Sequence, residues 1–342
     1  IDDNYLFKIN QEIINNSSEQ VELYPYAQLT RKNIPEDLKG FYILHEGFIA
    51  VLDDELKEDD YDDIEEKKIV REASKGWIGI TDKYWMTALI PEVGEKFKST
   101  FLYQDAYKAN FLLNNPKIVA PSSRANNEIK IFVAAKEVQT IDAYAEKENI
   151  EKLDLIIDWG WFYFFTKPLF FAVDYLFKLT GNFGIAIVLI TIMIRLVFFP
   201  LASYSFKSMA KMKALQPEMA RLKDLHKDDK VKLQQAIMAL YKKEQINPAS
   251  GCLPVLIQIP FFFAIYKMLF ISLEMRHQPF FGWIKDLSAS DPTTMFNLFG
   301  LLPFTPPSFL IIGIWPILMG LTMFIQQKLN PAPTDPIQAK IF

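Results

Sequence analysis

Residues 183–203 read FGIAIVLITIMIRLVFFPLAS, and this stretch decides the fold class. Its 21 residues carry a single charge, Arg195, and a membrane-crossing helix needs about 20 mainly apolar residues. Two further stretches have this character, because residues 252–273 carry only Lys267 and residues 309–325 are uncharged. The sequence therefore predicts an α-helical membrane core, whose transmembrane helices we place at 183–203, 250–274 and 308–328.

The lysines and arginines between the predicted spans indicate the orientation of the chain. Residues 204–248 hold ten of them, whereas residues 274–307 hold two, Arg276 and Lys285. Short loops rich in lysine and arginine stay in the cytosol. We therefore predict a cytosolic segment at 204–248, an outer loop at 275–307 and a second cytosolic segment at 329–342.

The chain before the spans has a different composition. Residues 1–155 carry 19 Lys+Arg against 30 Asp+Glu, whereas the remaining residues carry 18 against 11. Short apolar runs, for example 77–81 and 97–103, alternate with turn-forming clusters, a pattern typical of β-strands. We predict a β-rich sandwich domain over 1–155, closed by a helix near 139–148. The orientation of the spans places it outside the membrane, in the periplasm of a cell with an outer membrane.

Two shorter stretches also have a distinct character. Aromatic and apolar residues at 159–180 predict an amphipathic helix in the membrane interface, where aromatic rings favour the headgroup level. A buried helix of the β-rich domain is the alternative. The acidic run 53–66 predicts a solvated loop. A calcium site is the alternative there, but the glycine and ligand spacing of an EF-hand are missing.

Arg195 is the most informative polar residue of the predicted spans. It lies 12 residues after Phe183, about 18 Å along a helix and past the membrane midplane. A guanidinium at this depth costs about 2.5–3.5 kcal/mol and keeps its charge. One hypothesis is a fixed positive charge in a hydrated cavity that attracts acidic groups of a translocating chain. The other is a structural pair with a carboxylate of the bundle.

Two further polar residues lie in the second predicted span. Gln258 is a candidate for lining a polar groove beside Arg195, although polar residues in spans also bond neighbouring helices. Lys267 lies six residues from the outer end of its span, so we expect its ammonium group to reach the interface by snorkelling.

Residues 204–248 predict a helical hairpin. Met209, Met212 and Met219 recur at helical spacing on the first arm, Leu240 lies on the apolar stripe of the second, and Pro217 should break the first arm. Packing of the two arms explains this pattern. A methionine-containing surface that contacts client proteins explains it too, since methionine adapts to varied partners. Both interpretations stay open.

The sequence assembles no catalytic site. Its three histidines fall in different predicted regions, its one cysteine opens a span, and it contains no HExxH, Walker A or GxSxG pattern. We therefore predict that the protein is not an enzyme, uses no cofactor or metal, and binds no nucleic acid directly. A transporter or channel with an external binding domain is one alternative from another class. A sugar-binding role for the β-rich domain is a second.

Ordered motifs run through the second half of the chain. They include Gly181-Asn182-Phe183-Gly184, Ser208-Met209-Ala210-Lys211-Met212, Gly251-Cys252-Leu253-Pro254 and Pro316-Ile317-Leu318-Met319-Gly320. This half resembles the YidC insertase family. Residues 1–152 match more loosely, at the position of the periplasmic β-supersandwich of that family. The resemblance implies a multi-pass protein of the bacterial inner membrane.

The resemblance also implies an activity and partners. Members insert and help to fold nascent membrane proteins, alone or with the Sec translocon, through a cytosol-open hydrophilic groove with an arginine at the position of Arg195. The lipid bilayer and the ribosome are further candidate partners. Against the six-span family pattern, the first span and the last two are absent from this sequence. The outer stretch 292–307 is longer than the pattern predicts.

Overall fold

The computed structural model describes most of the chain and divides it into two compact units. The described residues are 5–35, 38, 44–227, 229–247, 253–291, 293–299, 302, 304, 306–307 and 311–329. One unit, here the β unit, contains Ile1–Thr166 and Tyr266–Glu274. The other, here the helical unit, contains Lys167–Ile265 and Met275–Phe342.

The β unit is built from antiparallel strands. They are β1 Leu6–Ile14, β2 Val21–Leu23, β3 Tyr26–Arg31, β4 Gly47–Leu52, β5 Glu55–Asp59, β6 Ile69–Ala73, β7 Gly76–Thr81, β8 Trp85–Ile90, β9 Phe97–Tyr103, β10 Tyr107–Leu113, β11 Lys117–Val119 and β12 Arg124–Ala135. Within the described residues, a six-stranded sheet has the order β1-β12-β8-β7-β4-β5 and a four-stranded sheet the order β3-β10-β9-β6, while β11 pairs with β2.

The two larger sheets enclose an apolar core. All six residues of β4 are buried, whereas β10 buries alternate residues, as expected when one face of a strand is covered. The ring of Phe48 on β4 lies 5.0 Å from that of Phe101 on β9, so side chains of the two sheets meet. Burial of each such ring contributes about 1.5–3 kcal/mol. The predicted sandwich is confirmed.

The acidic run 53–66 is not a solvated loop, so that prediction is wrong. It forms β5 and the short helix α1, Tyr61–Glu66. Asp59 is buried in a two-pronged ion pair with Arg71, and Tyr61 and Ile64 are buried beside it. The apolar residues among the acids, together with pairing of β5 to β4, order the segment. Among the described residues, no group of His, Cys, Asp or Glu is arranged to hold a metal ion.

The other helices follow in chain order. They are α2 Val138–Lys147, α3 Tyr163–Thr180, α4 Phe183–Val197, α5 Phe199–Ala214, α6 Gln216–Leu225, α7 Lys230–Lys243, α8 Leu253–Ile271 and α9 Ile314–Leu329, with 3-10 turns at Leu153–Ile156 and Met295–Asn297. Helix α2 confirms the closing helix predicted near 139–148. The helix predicted at 159–180 begins only at Tyr163, and its placement in the membrane interface stays a prediction.

The first predicted span is not one straight helix. Helix α4 ends at Val197 and α5 begins at Phe199, with a bend of 60° between them. Pro200 lies in the first turn of α5, where its missing N–H group and its ring prevent continuation of the α4 hydrogen bonds. Pro217 occupies the same position in α6 and separates it from α5, as predicted for the first arm of the hairpin.

The other two predicted spans are also shorter than predicted. Helix α8, described from Leu253, ends at Ile271, three residues before the predicted end, and α9 begins at Ile314. Residues 250–252 and 308–310 of the predicted spans, and 330–342 of the predicted second cytosolic segment, lie outside the described part. Within the described residues, the bent pair α4–α5 meets the length and hydropathy of a membrane-crossing segment, and no helix meets both by itself.

Candidate functional site

Arg195 lies in the last turn of α4, three residues before the bend at Phe198. Its side chain is exposed, and its guanidinium carbon lies 5.7 Å from the centroid of the Phe262 ring on α8. Such a cation–π contact contributes about 0.5–1 kcal/mol at an exposed site. Within the part of the chain that the structure describes, Arg195 forms no salt bridge. Its charge is therefore available to an external anion.

Gln258 is half-buried on α8, one helical turn before Phe262. Residues four apart lie on the same face of a helix, so Gln258 shares a face with the ring that Arg195 contacts. Beside this contact, the Phe198 and Phe261 rings meet edge to face at 5.0 Å. The structure thus brings Arg195 and Gln258 to one crossing of α4 and α8. Their role in a client groove stays a prediction.

The hairpin has a small core of its own. Met219 on α6, Tyr241 on α7 and Ile246 are buried, and the half-buried Met212 and Leu240 pack against them. The hydroxyl of Tyr241 lies 3.3 Å from the sulfur of Met219. Packing of the two arms therefore explains these positions. The buried Met219 side chain is not accessible to a client in this structure, whereas client contact by Met212 and Leu240 stays a prediction.

The hairpin also carries an accessible methionine that the sequence analysis did not select. Met238 on α7 is 57% exposed and borders a shallow groove with Lys242 and Asn247, while the predicted Met209 on α5 is half-buried. Met238 lies two residues before Leu240 and off the packed stripe. This offset is a partial signal, because an apolar residue off the packed stripe tends to be exposed, but only the packing of the two arms shows which methionine is accessible.

Lys267 forms an ion pair that the sequence did not predict, and its approach to a membrane interface stays a prediction. Its side chain is 11% exposed, and its ammonium nitrogen lies 2.6 Å from a carboxylate oxygen of Asp158. The same oxygen accepts a hydrogen bond from the His45 N–H at 3.0 Å, and the other oxygen accepts one from the Gly160 N–H at 3.0 Å. The hydrogen-bonded carboxylate gives the lysine a partner inside the β unit.

Gly160 fits this ion pair because it lacks a side chain. Its φ is +72°, a left-handed backbone that residues with a Cβ adopt at a cost, and a Cβ there would lie 3.2 Å from Cε of Lys267. The buried Trp159 precedes it and the largely exposed Trp161 follows it. Because Gly160 has no Cβ, the aliphatic part of the Lys267 side chain can lie against the backbone of residue 160.

A second lysine, Lys136, is buried in the β unit between β12 and α2. It is 4% exposed. Burial lowers the pKa of Lys136 to about 8, because the charged form loses hydration, while Asp158, Asp82 and Glu46 partly oppose this effect. Lys136 thus lies close enough to Asp158 and Lys267 for both charges to influence its pKa, a proximity that the sequence did not reveal.

Two more contacts anchor residues 266–274 within the β unit. The ammonium nitrogen of Lys83 lies 4.0 Å from the centroid of the Phe270 ring. The carboxylate of Glu274 accepts a hydrogen bond from the N–H of Val138 at 3.1 Å. With the ion pair of Lys267, these contacts fix the last turn of α8 to strands and loops far away in the sequence.

Comparison with protein families covers nearly the whole chain. A family model described as the YidC periplasmic domain matches residues 1–172. A second model, described as 60Kd inner membrane protein, matches residues 175–342. The boundary between the two matches lies within α3.

Individual proteins are similar over the entire chain. The membrane protein insertase YidC of Pelagibacter ubique is 61% identical over 342 residues, with 100% of this chain and 61% of the relative covered. That of Brucella suis is 51% identical over 349 residues, with 100% and 57% covered. The chain thus spans about three fifths of the length of these relatives. A crystal structure of an active YidC insertase is 21% identical, with 72% and 67% covered and a TM-score of 0.35.

Proposed function

This chain belongs to the YidC family of 60Kd inner membrane proteins, and we propose on that basis that it is part of a membrane protein insertase. The insertase places integral membrane proteins into the bacterial inner membrane and helps them to fold. The observation that carries the proposal is Arg195, an exposed and permanently charged side chain on an otherwise apolar helix.

The proposed first step is recruitment by charge. An acidic residue beside the translocated end of a client would approach the guanidinium of Arg195 from the cytosol. At 4 Å and an effective dielectric constant of about 20, the attraction is about 4 kcal/mol before desolvation. Gln258, on the neighbouring face of α8, would offer hydrogen bonds to the same polar segment. Together these residues would line a groove open to the cytosol.

The proposed second step is release into lipid. Burial of apolar surface contributes about 0.8 kcal/mol for each CH₂ group, so a client helix of about 20 apolar residues gains far more than one ion pair supplies. Apolar burial would therefore drive insertion, while Arg195 selects and orients the polar flank. The membrane potential would assist an acidic tail on its way outward.

The hairpin and external partners extend this proposal. We propose that accessible hairpin side chains, Met238 and the half-buried Met209 among them, touch client helices before they enter the groove. Cooperation with the Sec translocon and delivery by a ribosome are part of the same proposal. Site-specific crosslinking from position 238 to a ribosome-bound nascent chain, with position 219 as the buried control, tests the contact.

The decisive experiment uses the full-length protein in liposomes. Two single-span clients differ only in the translocated tail, which carries either two aspartates or two asparagines. We expect protease protection of both clients above that in empty liposomes. We expect Arg195→Ala to reduce insertion of the acidic client about tenfold, equivalent to about 1.4 kcal/mol, and that of the neutral client much less.

Arg195→Lys is the matched control, because it keeps the charge and should preserve insertion of the acidic client. An equal loss for both clients in Arg195→Ala would remove charge attraction from the mechanism. Equal protection in empty and protein-containing liposomes would contradict the insertase function itself. An ion current in the same liposomes would instead favour a transporter or channel.

A further inference from the structure

An unusually long stretch without charge begins between α8 and α9 and continues through most of α9. Residues 292–327 are 36 consecutive residues with no Asp, Glu, Lys, Arg or His, although 23% of the chain is charged. Helix α9 begins only at Ile314, so 22 uncharged residues precede it. One membrane crossing needs about 20 apolar residues. The span therefore does not account for the whole stretch.

The two positions that flank the part of this stretch before α9 lie close together. A Cβ on Gly313 would lie 2.5 Å from a carboxylate oxygen of Asp291, so the backbone at 313 lies directly against that side chain. The other carboxylate oxygen accepts hydrogen bonds from the N–H and hydroxyl of Thr293, at 2.9 and 2.6 Å. The chain thus leaves at Asp291 and returns to the same place at Gly313. We refer to residues 292–312, which lie between these two positions, as the excursion.

Inside the excursion, the turn 294–299 has an inverted polarity. Its polar members are buried, with Thr294 1% exposed and Asn297 6% exposed, and they cap each other in a capping box. Its apolar members, Met295, Phe296, Leu298 and Phe299, are each about half exposed. A turn in water normally shows the opposite arrangement, because exposed apolar surface is unfavourable there.

The backbone of the turn has an unusual conformation that is held by hydrogen bonds. Leu298 and Phe299 have φ values of 50° and 57°, a left-handed conformation that large apolar residues rarely adopt. The N–H of Phe299 donates to the carbonyl of Thr294 at 2.8 Å, and the N–H of Leu302 donates to that of Asn297 at 3.0 Å. Strained backbone persists where surrounding contacts hold it, and such positions often serve a function.

We propose that the turn 294–299 inserts its apolar side chains among the lipid acyl chains, in the outward-facing leaflet of the membrane that α9 crosses. Lipid is the occupant that the observations favour, because the turn offers no charge for a protein partner to complement. Its uncharged sequence also continues directly into α9, whose exposed Trp315 and Leu318 extend the apolar surface. The inference rests on the membrane location of the family and not on insertase activity. It would give the outer end of α9 a second anchor in the bilayer.

The experiment places an environment-sensitive probe on the turn. The full-length Cys252→Ser protein receives Phe296→Cys, is labelled with a nitrobenzoxadiazole maleimide, and is reconstituted in vesicles of phosphatidylcholine and phosphatidylglycerol in equal parts. The control label is at Ser290→Cys, an exposed polar position just before the excursion. We expect a doxyl-labelled phosphatidylcholine to quench position 296 about threefold more strongly than position 290, because only an immersed probe contacts the spin label.

Two results would overturn the proposal. Quenching of position 296 by aqueous iodide, with none by the doxyl lipid, would place the turn in water. Short-wavelength emission without quenching by either reagent would place it against an apolar protein surface. If Phe296→Cys lowers the unfolding temperature of the protein, Met295→Cys on the same turn carries the same test, because its side chain is 52% exposed.

Discussion

The β unit and the helical unit differ in what covers their apolar side chains. Strand β4 buries all six of its residues, whereas α9 leaves Met319 60% exposed and Met323 61% exposed, and α4 leaves Val197 73% exposed. The core of the β unit is complete within its own chain. The helices carry surface that is stable only against lipid or further protein segments. The first fold is thus determined by internal contacts, and the second depends on its surroundings.

Two basic residues reproduce this difference on a smaller scale. Arg195 is the single charge of residues 183–203, and Lys267 is the single charge of residues 252–273. Lys267 is buried against Asp158 in the β unit, whereas Arg195 is exposed and contacts only the face of an aromatic ring among the described residues. One charge stabilises structure, and the other is available for an external partner. The following experiments test this contrast.

The largest effect is expected for Asp158→Ala. The substitution leaves the ammonium group of Lys267 buried without its carboxylate, which should lower the free energy of unfolding by about 3–5 kcal/mol. Arg195→Ala should change it by at most about 1 kcal/mol, because that side chain is exposed and loses only its cation–π contact with Phe262. Thermal unfolding of the full-length protein in detergent, followed by tryptophan fluorescence, measures both.

The double variant Asp158→Ala with Lys267→Met is the control for this pair. Removal of both charges should recover most of the lost stability, since no buried charge is then left unpaired. A single Asp158→Ala variant as stable as the parent protein would contradict the structural role of the ion pair. The contrast with Arg195 would then disappear.

A smaller effect, which depends on pH, is expected at Lys136. Its pKa in the folded protein is about 8, against about 10.4 in an unfolded chain. Between these values the unfolded state binds more protons, so the free energy of unfolding should rise with pH, by up to about 3 kcal/mol. Lys136→Met should remove this rise, as measured by unfolding at a series of pH values from about 7 to 10.5.

Lys98→Met is the matched control, because Lys98 is exposed on β9 and should leave the pH profile unchanged. An identical rise in the parent protein and in Lys136→Met would assign the pH dependence to another group. Loss of the rise with pH in Lys136→Met, but not in Lys98→Met, would confirm that Lys136 is buried in the β unit. It would thereby sharpen the contrast with the exposed charge of Arg195 in the helical unit.

The smallest effect is expected in the hairpin. Met219→Ala should destabilise α6 and α7 by about 2 kcal/mol, near the lower limit for such substitutions because the cluster is small. Met238→Ala should have almost no effect on stability, because the side chain is exposed. Hydrogen exchange of α6 and α7 measures both. Faster exchange in Met238→Ala than in Met219→Ala would reverse our assignment of the packed and the accessible methionine.

Local patterns were sufficient for several elements. Short apolar runs bounded by turn residues predicted strands such as β7 and β9, and Pro217 predicted the break between α5 and α6. The prediction for the acidic run 53–66 was wrong, because charged residues dominate its sequence. Its order comes from pairing of β5 with β4 and from burial of a few apolar side chains, which the local sequence does not show. The strand β1, paired with β12 across more than a hundred residues, was also missed, because a polar edge strand lacks a strong local signal.

The candidate site was predicted only in part. The sequence identified Arg195 because a charge in an apolar run is visible without any partner. It could not pair Lys267 with Asp158, because the two residues are 109 positions apart and no local pattern connects them. For the same reason it could not separate the buried Met219 from the exposed Met238.

The sequence by itself determined which segments are apolar, where proline interrupts them, how charge divides between the two halves, and to which family the motifs belong. These properties depend on residues close together in the chain. Only the tertiary structure decided which charges are neutralised, which methionines are accessible, and that the chain returns to Asp291 at Gly313. Burial and ion pairing depend on distances in space, and chain connectivity does not specify those distances until the fold is formed.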